Sequence, residues 1–537
     1  MEPSPRTSAP SPPSDRIVRT LGVLAVIAVG LHVLGRAWLA SEHRFFATED
    51  DGYRAYYGHL VAEGTGSVIG RFWLPGQFFV LGALGRLGLD AAQAPMVLGA
   101  ITFVMTIVAV HSLARDLAPQ GWGDAAGRGA IVVASISPLV LVLSHSALAE
   151  PLANALVAFA AAALVRRHRV GPRRLVWSGA MMMLLATWVR YEAWAYALVF
   201  VVSAIEAARR REGVRSALVD GAVASIALIG PFGWLLAQHL VHGDALAFLD
   251  TIEDMSVALS GEASRSHVAL LRLEALSLWA GGAVVGTAAA LWLWRRGLAP
   301  LRALGLLALV GVPGLVLELA SGSGLGVFVV DGREIEFFAP RLVSNLEIGL
   351  VPLAGLGLAT LLARAEPRSH AAAVAALALP GALLVLGLSQ PVSFVDPSSV
   401  RAGVMLRGGE LDDVLGRGAL LVERVEPRPP MGWASLSVLW SEWERTIFFT
   451  RRRGDCDMVE ASNIVYARSR IACRDLAGWA SRRGVTAAWV LSPEARELFD
   501  RVWPDAESRT IGDGHLLRAA AARVHEGAPA SREEPPR

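Results

Sequence analysis

The 537-residue chain contains no lysine; all 50 of its basic residues are arginine. That absence excludes a Walker-type phosphate loop, which needs a lysine ammonium, and Schiff-base chemistry, which needs a lysine amine. Charge as a whole is scarce. Only 18% of residues are charged, where a soluble protein carries roughly 25%. The balance is +2, so nothing points to a nucleic-acid partner. Cysteine is limited to two residues, Cys456 and Cys473. In place of these, 53% of the chain is hydrophobic, gathered into long uncharged runs. Runs of about 18 or more apolar residues read as membrane-spanning helices.

The fold class expected is a polytopic α-helical membrane protein with a soluble C-terminal α/β domain. Residues 1–16 are rich in Pro and Ser and read as a disordered cytoplasmic tail. The following apolar run is longer than a signal-peptide core and reads as an uncleaved first span. About eleven spans are expected, near 17–40, 94–114, 129–147, 150–166, 174–189, 192–208, 216–240, 274–294, 302–320, 342–363 and 370–389. RRHRVGPRR (166–174), ARRREGVR (208–215) and RRGLAPLR (295–302) fall in alternate short loops. Arginine-rich short loops stay in the cytoplasm, which puts the N-terminus inside as well. RFWLPGQFFVLGALGRLGLD (71–90) would break this pattern as a span, so it reads as an amphipathic helix lying in the outer interface.

Residues 390–537 mix polar and apolar residues as a soluble domain does, and the span count places them outside the cytoplasm. GALLVERV (418–425) and VTAAWVLS (485–492) read as strands; RDLAGWASRRG (474–484) and PEARELFDRVW (493–503) read as helices. Two cysteines in an oxidising compartment pair most simply as a disulfide, Cys456 with Cys473.

Within the membrane half (17–389), the charges not in cytoplasmic loops sit at the outer ends of spans. Glu49, Asp50 and Asp51 follow the first span in TEDDGYRAYYGHL. Arg71 opens the interfacial helix, Glu150 lies in HSALAEPL, and Arg190 and Glu192 lie in WVRYEAW. Arg333, Glu334 and Glu336 precede Arg341 in GREIEFFAPRL. Ionisable groups near lipid are costly and often functional. Glu150 also suits the start of a helix, where a carboxylate is favoured, and Arg341 suits an interfacial anchor. Tyr53, Tyr56 and Tyr57 read as interfacial aromatics.

In order and side, these motifs resemble the GT-C membrane glycosyltransferases, which use polyprenyl-phosphate sugars. Members carry an acidic pair in the first outer loop, here within EDDGYRAYYGHLVAEGTG, then an interfacial helix with proline, here FWLPGQFFVLGALGRLG. A Ser…Glu-Pro-Leu tip is matched by SHSALAEPL, an Arg-containing tip by WVRYEA, and a late Pro-Arg element by APRLVSNLEIGLVP. The second acid is Asp51 rather than Glu, and Leu342 stands where an aromatic is frequent. The aminoarabinose transferases and mannosyltransferases are the members it looks most like.

The resemblance implies sugar transfer, with inversion, from a polyprenyl-phosphate donor to a hydroxyl of a glycolipid, polysaccharide or protein acceptor on the extracytoplasmic side of the cell membrane. Asp50, or alternatively Asp51, would act as base. Arg341, Arg190 and Arg71 would hold the leaving phosphate, with Glu150 and Glu192 beside them. The residues name no cofactor, and a divalent cation could accompany the acids. The competing reading is a transporter or flippase. It would bind at the bilayer midplane, often between repeated halves; the chain shows no repeat, and its charges gather toward one face.

Overall fold

The computed structural model of the chain describes residues 12–41, 49–64, 73–89, 93–249, 288, 327–330, 333–336, 339–364, 418–423, 446–452, 454–460, 468–511 and 514–519. The apolar run that opens the chain forms α1, Asp15–Ser41. The acidic segment then forms α2, Glu49–Glu63, and the expected interfacial helix is α3, Gly76–Arg86. α3 begins after Pro75, five residues later than Arg71, because proline fixes its own backbone and suits a helix start. At 11 residues it is about 17 Å long, too short to span a bilayer.

α4 (Gln93–Leu117) follows. The expected span 129–147 is not one helix. It is α5 (Gly123–Ser135) and α6 (Pro138–Ser144), bent by 67°. Pro138 lacks the N–H that would continue α5, and the Ser137 hydroxyl accepts from Val140 N at 3.3 Å, starting a new helix instead. His32 of α1 clasps the bend: its ring nitrogens lie 3.0 Å from Ser135 O and 3.0 Å from Ser144 Oγ. The ring stacks on Phe103.

α7 (Glu150–Val170), α8 (Arg174–Thr187), α9 (Glu192–Glu212), α10 (Val214–Ala224) and α11 (Ile229–His242) continue the bundle, the last two joined by a short 3-10 turn. β1 (Val327–Val330) and β2 (Arg333–Glu336) form an antiparallel hairpin before α12, Ala339–Arg364. Among the described residues three helices are long and apolar enough to cross a membrane, Asp15–Leu39, Gln93–Leu117 and Val214–His242, or four counting the bent pair. Expected spans 274–294, 302–320 and 370–389 lie outside the described residues.

Small residues let the helices approach closely, as membrane interfaces favour. A Cβ added to Gly129 of α5 would sit 2.4 Å from the Gly355 carbonyl oxygen of α12. Around that contact Ile17, Leu21, Val110, Ala126 and Val351 are buried together. A second core joins α7, α8 and α9 through Leu156, Val176, Met183 and Phe200. At the arginine-rich end of these helices, fully buried Asp220 accepts from Arg167 at 2.9 Å and Arg173 at 2.8 Å, and Arg167 also reaches Glu212 at 2.7 Å.

The chain divides into two compact units, Met1–Phe394 and Val395–Arg537. The second holds a seven-stranded sheet, ordered β6-β5-β4-β3-β7-β9-β8. Its strands are β3 (Ala419–Glu423), β4 (Thr446–Arg452), β5 (Asp455–Glu460), β6 (Arg468–Ala472), β7 (Val485–Val490), β8 (Glu507–Ile511) and β9 (Gly514–Arg518). Central β3 runs parallel to both β4 and β7, with Leu421 opposite Ile447 and Ala488. Helices α13 (Leu476–Arg482) and α14 (Pro493–Val502) bury Trp479, Leu498 and Phe499 against the sheet. The buried Glu423 carboxylate accepts from Leu491 N at 2.6 Å, Ser492 N at 2.8 Å and the Ser492 hydroxyl, closing the loop after β7. Cys456 and Cys473 are joined by a disulfide.

Candidate active site

The start of α3 is the junction of four segments, all within the first unit. Gly76 N donates to Trp188 O at 2.8 Å. A Cβ at Gly76 would lie 2.7 Å from that same oxygen, so the contact requires glycine. The next residue, Gln77, is fully buried. Its Nε2 donates to the carbonyls of Ala147 and Leu148 at 2.5 and 2.9 Å, and its Oε1 accepts from Arg54 Nη1 of α2 at 2.8 Å. The tip before α7, the tip before α9 and helix α2 therefore all meet α3.

Arg54 is 4% exposed. Its guanidinium lies 5.4 Å from the Trp73 ring centre and 5.9 Å from that of Phe78, within range of a cation–π attraction. Tyr57 packs on both rings. Burial raises the pKa of the Tyr57 phenol and also that of Tyr191, so both remain neutral hydroxyls at physiological pH. Asp50 and Asp51 occupy the first turn of α2, four and three residues before Arg54. Those spacings bring helix positions onto a common face.

Two residues beyond Leu148 stands Glu150, 2% exposed. It accepts from Arg190 Nη1 at 2.9 Å, while Arg190 Nε donates to Glu192 Oε2 at 3.0 Å and Nη2 donates to the other Glu192 oxygen. The structure thus joins three residues singled out in the sequence. Both faces of the Arg190 guanidinium fork meet carboxylates.

α12 brings the late element to the same end. Asn154 Nδ2 donates to Ser344 Oγ at 2.8 Å. Further along, Ala162 and Val165 of α7 share a buried cluster with Leu353 of α12, so the two helices run parallel. Glu150 precedes Asn154 by four residues and Arg341 precedes Ser344 by three, about 6 and 4.5 Å along the axes. Arg341 is therefore placed level with Glu150 at the head of the bundle. Beside this point, a small crevice of about 30 Å³ opens between α4, α6, α7 and α12, lined by Phe103, Thr106, Leu143, Pro151, Asn154 and Ser344 among others.

Arg71 lies outside the described residues. Arg333, Glu334 and Glu336 sit on β2. Cys456 and Cys473 belong to the second unit. Among the described residues no group of three or more His, Cys, Asp or Glu is placed to hold a metal ion.

Arg54, Gln77, Asn154 and Ser344 were not singled out from the sequence. Gln77 carried a signal, as a lone carboxamide inside the apolar run FWLPGQFFVLGALG.

By sequence, no family model matches the chain, and no curated protein matches it either. By structure, the match is broad. ArnT from Cupriavidus metallidurans in the apo state superposes with a TM-score of 0.59 at 12% identity, over 92% of this chain and 99% of that one. The fold is that of the GT-C glycosyltransferases. A second ArnT structure, bound to undecaprenyl phosphate, matches with a TM-score of 0.57 at 13% identity, over 93% and 98% of the two chains. The oligosaccharyltransferase of Archaeoglobus fulgidus in complex with zinc and sulfate gives 0.49 at 11% identity, over 88% of this chain and 67% of that one. Within this GT-C fold, the acidic turn, the Glu150–Arg190–Glu192 cluster and the start of α12 lie at one end of the helix bundle.

Proposed function

We propose that the protein is an integral-membrane glycosyltransferase that moves a sugar from a polyprenyl-phosphate donor to an acceptor hydroxyl on the extracytoplasmic side. The observation that carries this reading is the ArnT-like fold over 92% of the chain, with helix α2 and the tip bearing Glu150 joined through Gln77. The ArnT structure holding undecaprenyl phosphate supports the class of donor. The N-terminus would then be cytoplasmic and the Val395–Arg537 unit extracytoplasmic.

An acceptor hydroxyl is a weak nucleophile until a carboxylate takes its proton. Asp50 is assigned that role, with Asp51 as the alternative. The hydroxyl oxygen attacks the anomeric carbon as its proton passes to the carboxylate. The bond from that carbon to the phosphate oxygen breaks, leaving its electron pair on the lipid phosphate, and the anomeric configuration inverts. Arginine stabilises the growing phosphate charge. Because Arg190 is held by two glutamates, Arg341 is the first choice for this part and Arg71 the second. Glu150 and Glu192, paired with Arg190, would line the substrate side of the site.

The test uses the full chain in proteoliposomes, a panel of radiolabelled undecaprenyl-phosphate sugars and a cell-envelope extract as acceptor. Label should pass to the acceptor, and Asp50→Asn should abolish transfer while leaving insertion and folding intact. Full activity in both Asp50→Asn and Asp51→Asn would remove the base assignment. Movement of the donor across the bilayer without transfer would favour a flippase.

A further inference from the structure

Gln77 joins parts of the chain that have no covalent reason to meet. Its carboxamide has one acceptor oxygen and two N–H donors, and the structure uses both ends. The oxygen takes Arg54 at 2.8 Å; the nitrogen serves the Ala147 and Leu148 carbonyls at 2.5 and 2.9 Å. No other side chain type of this size can accept from an arginine and donate to two carbonyls at once. A glutamate would present oxygen to the carbonyls, and a leucine would remove all three hydrogen bonds.

The two ends of this bridge are the ends of the site. Arg54 lies one turn after Asp50 and Asp51 on α2, and Leu148 lies two residues before Glu150. α2 is held against α3 on a second side as well: a Cβ on Gly58 would come 2.4 Å from Leu81 Cβ. Helix α2 therefore cannot slide or rotate without losing the Arg54–Gln77 bond or the Gly58–Leu81 contact. The aromatic rings of Trp73 and Phe78 fix the guanidinium in turn.

We propose that Arg54 and Gln77 are positioning residues that clamp the acidic turn of α2 to the tip bearing Glu150. This rests on the glycosyltransferase reading above. Neither residue is assigned contact with substrate. Their effect is on the reach of the base, so it falls on the chemical step. Misplacing a catalytic group by about 1 Å can cost on the order of 100-fold in rate, while the donor's lipid and phosphate contacts are made by other residues.

The full chain is purified in detergent and reconstituted, and three quantities are measured for wild type, Gln77→Leu and Arg54→Met. These are kcat per folded molecule, KM for the transferable undecaprenyl-phosphate sugar, and the affinity for undecaprenyl phosphate alone. Val176→Ala, a buried change on α8, serves as a purely structural control. The expected result is a fall in kcat of about 10- to 100-fold in each clamp variant, with KM and undecaprenyl-phosphate affinity within about twofold of wild type. The control should lower thermal stability and leave kcat unchanged. If Gln77→Leu does not fold, Gln77→Glu, which keeps an acceptor for Arg54, serves instead. The double variant Gln77→Leu/Arg54→Met should be no slower than the worse single variant, since both break one bridge. Unchanged kcat in the clamp variants of a transferring enzyme overturns this inference alone. A loss confined to KM also overturns it, making the pair a binding subsite. No transfer by the wild type overturns the functional reading, and the clamp's role with it.

Discussion

Asn154 donates to the Ser344 hydroxyl across 2.8 Å, joining positions 190 residues apart in the chain. That bond sets the register of two parallel helices and places Arg341 level with Glu150. If Arg341 holds the donor phosphate, Arg341→Gln should raise the KM for the polyprenyl-phosphate sugar by about 10- to 100-fold, the value of one hydrogen bond to a charged group. Melting temperature should stay close to wild type. A steady-state titration of the labelled donor measures the change.

Arg190 has a different prediction because it is held by two carboxylates. Arg190→Met removes an ion pair from Glu150, which is 2% exposed, and should destabilise the protein by about 3 kcal/mol. Adding Glu150→Gln should recover much of that loss by removing the buried charge. Thermal melts of the detergent-solubilised single and double variants give the comparison. A KM effect with an unchanged melt would return Arg190 to the phosphate.

At the arginine-rich end, the Arg167 guanidinium, followed by the Ser216 hydroxyl, holds the Glu212 carboxyl at about 2, below its ordinary 4.5. A carboxylate with a depressed folded pKa stabilises the fold above its unfolded value and loses that contribution as pH falls through its folded one. Wild type should therefore exceed Glu212→Gln in melting temperature at pH 7. The gap should shrink between pH 4.5 and pH 2, where the wild-type carboxylate becomes protonated. Melts recorded across that window measure it.

The Cys456–Cys473 disulfide closes a 17-residue separation. Loop-closure entropy gives it about 3 kcal/mol of stabilisation. Replacing both cysteines by serine in the full chain should leave the β4–β6 region more open. Hydrogen exchange over residues 446–475 should show the loss of protection there.

Much of the helical architecture could be read from the chain because apolar runs and arginine loops act over one helix at a time. The limits of α1, α4, α7, α8 and α9 fall within a few residues of the expected spans. The 129–147 span was read as continuous because its hydropathy is continuous. Its break depends on Pro138 acting together with a Ser137 cap and His32 from another helix, and hydropathy does not sense hydrogen bonds. Glu150, Arg190 and Glu192 stood out as charges in unlikely places. Arg54 did not, since an arginine among tyrosines in YRAYYG looks like an interfacial residue until its burial is known.

The linear chain by itself decided that this is a lysine-free, arginine-flanked set of apolar helices with acidic residues at the ends opposite the arginine-rich loops and a mixed polar unit after them. Those properties follow from the transfer of side chains between water and lipid, which each segment undergoes separately. Which charges meet was decided only by the tertiary structure. Gln77 can bridge Arg54 to residues 147–148, and Asn154 can reach Ser344, only once helices remote in sequence lie within hydrogen-bond distance. The same packing tied Arg190 to Glu150 and Glu192.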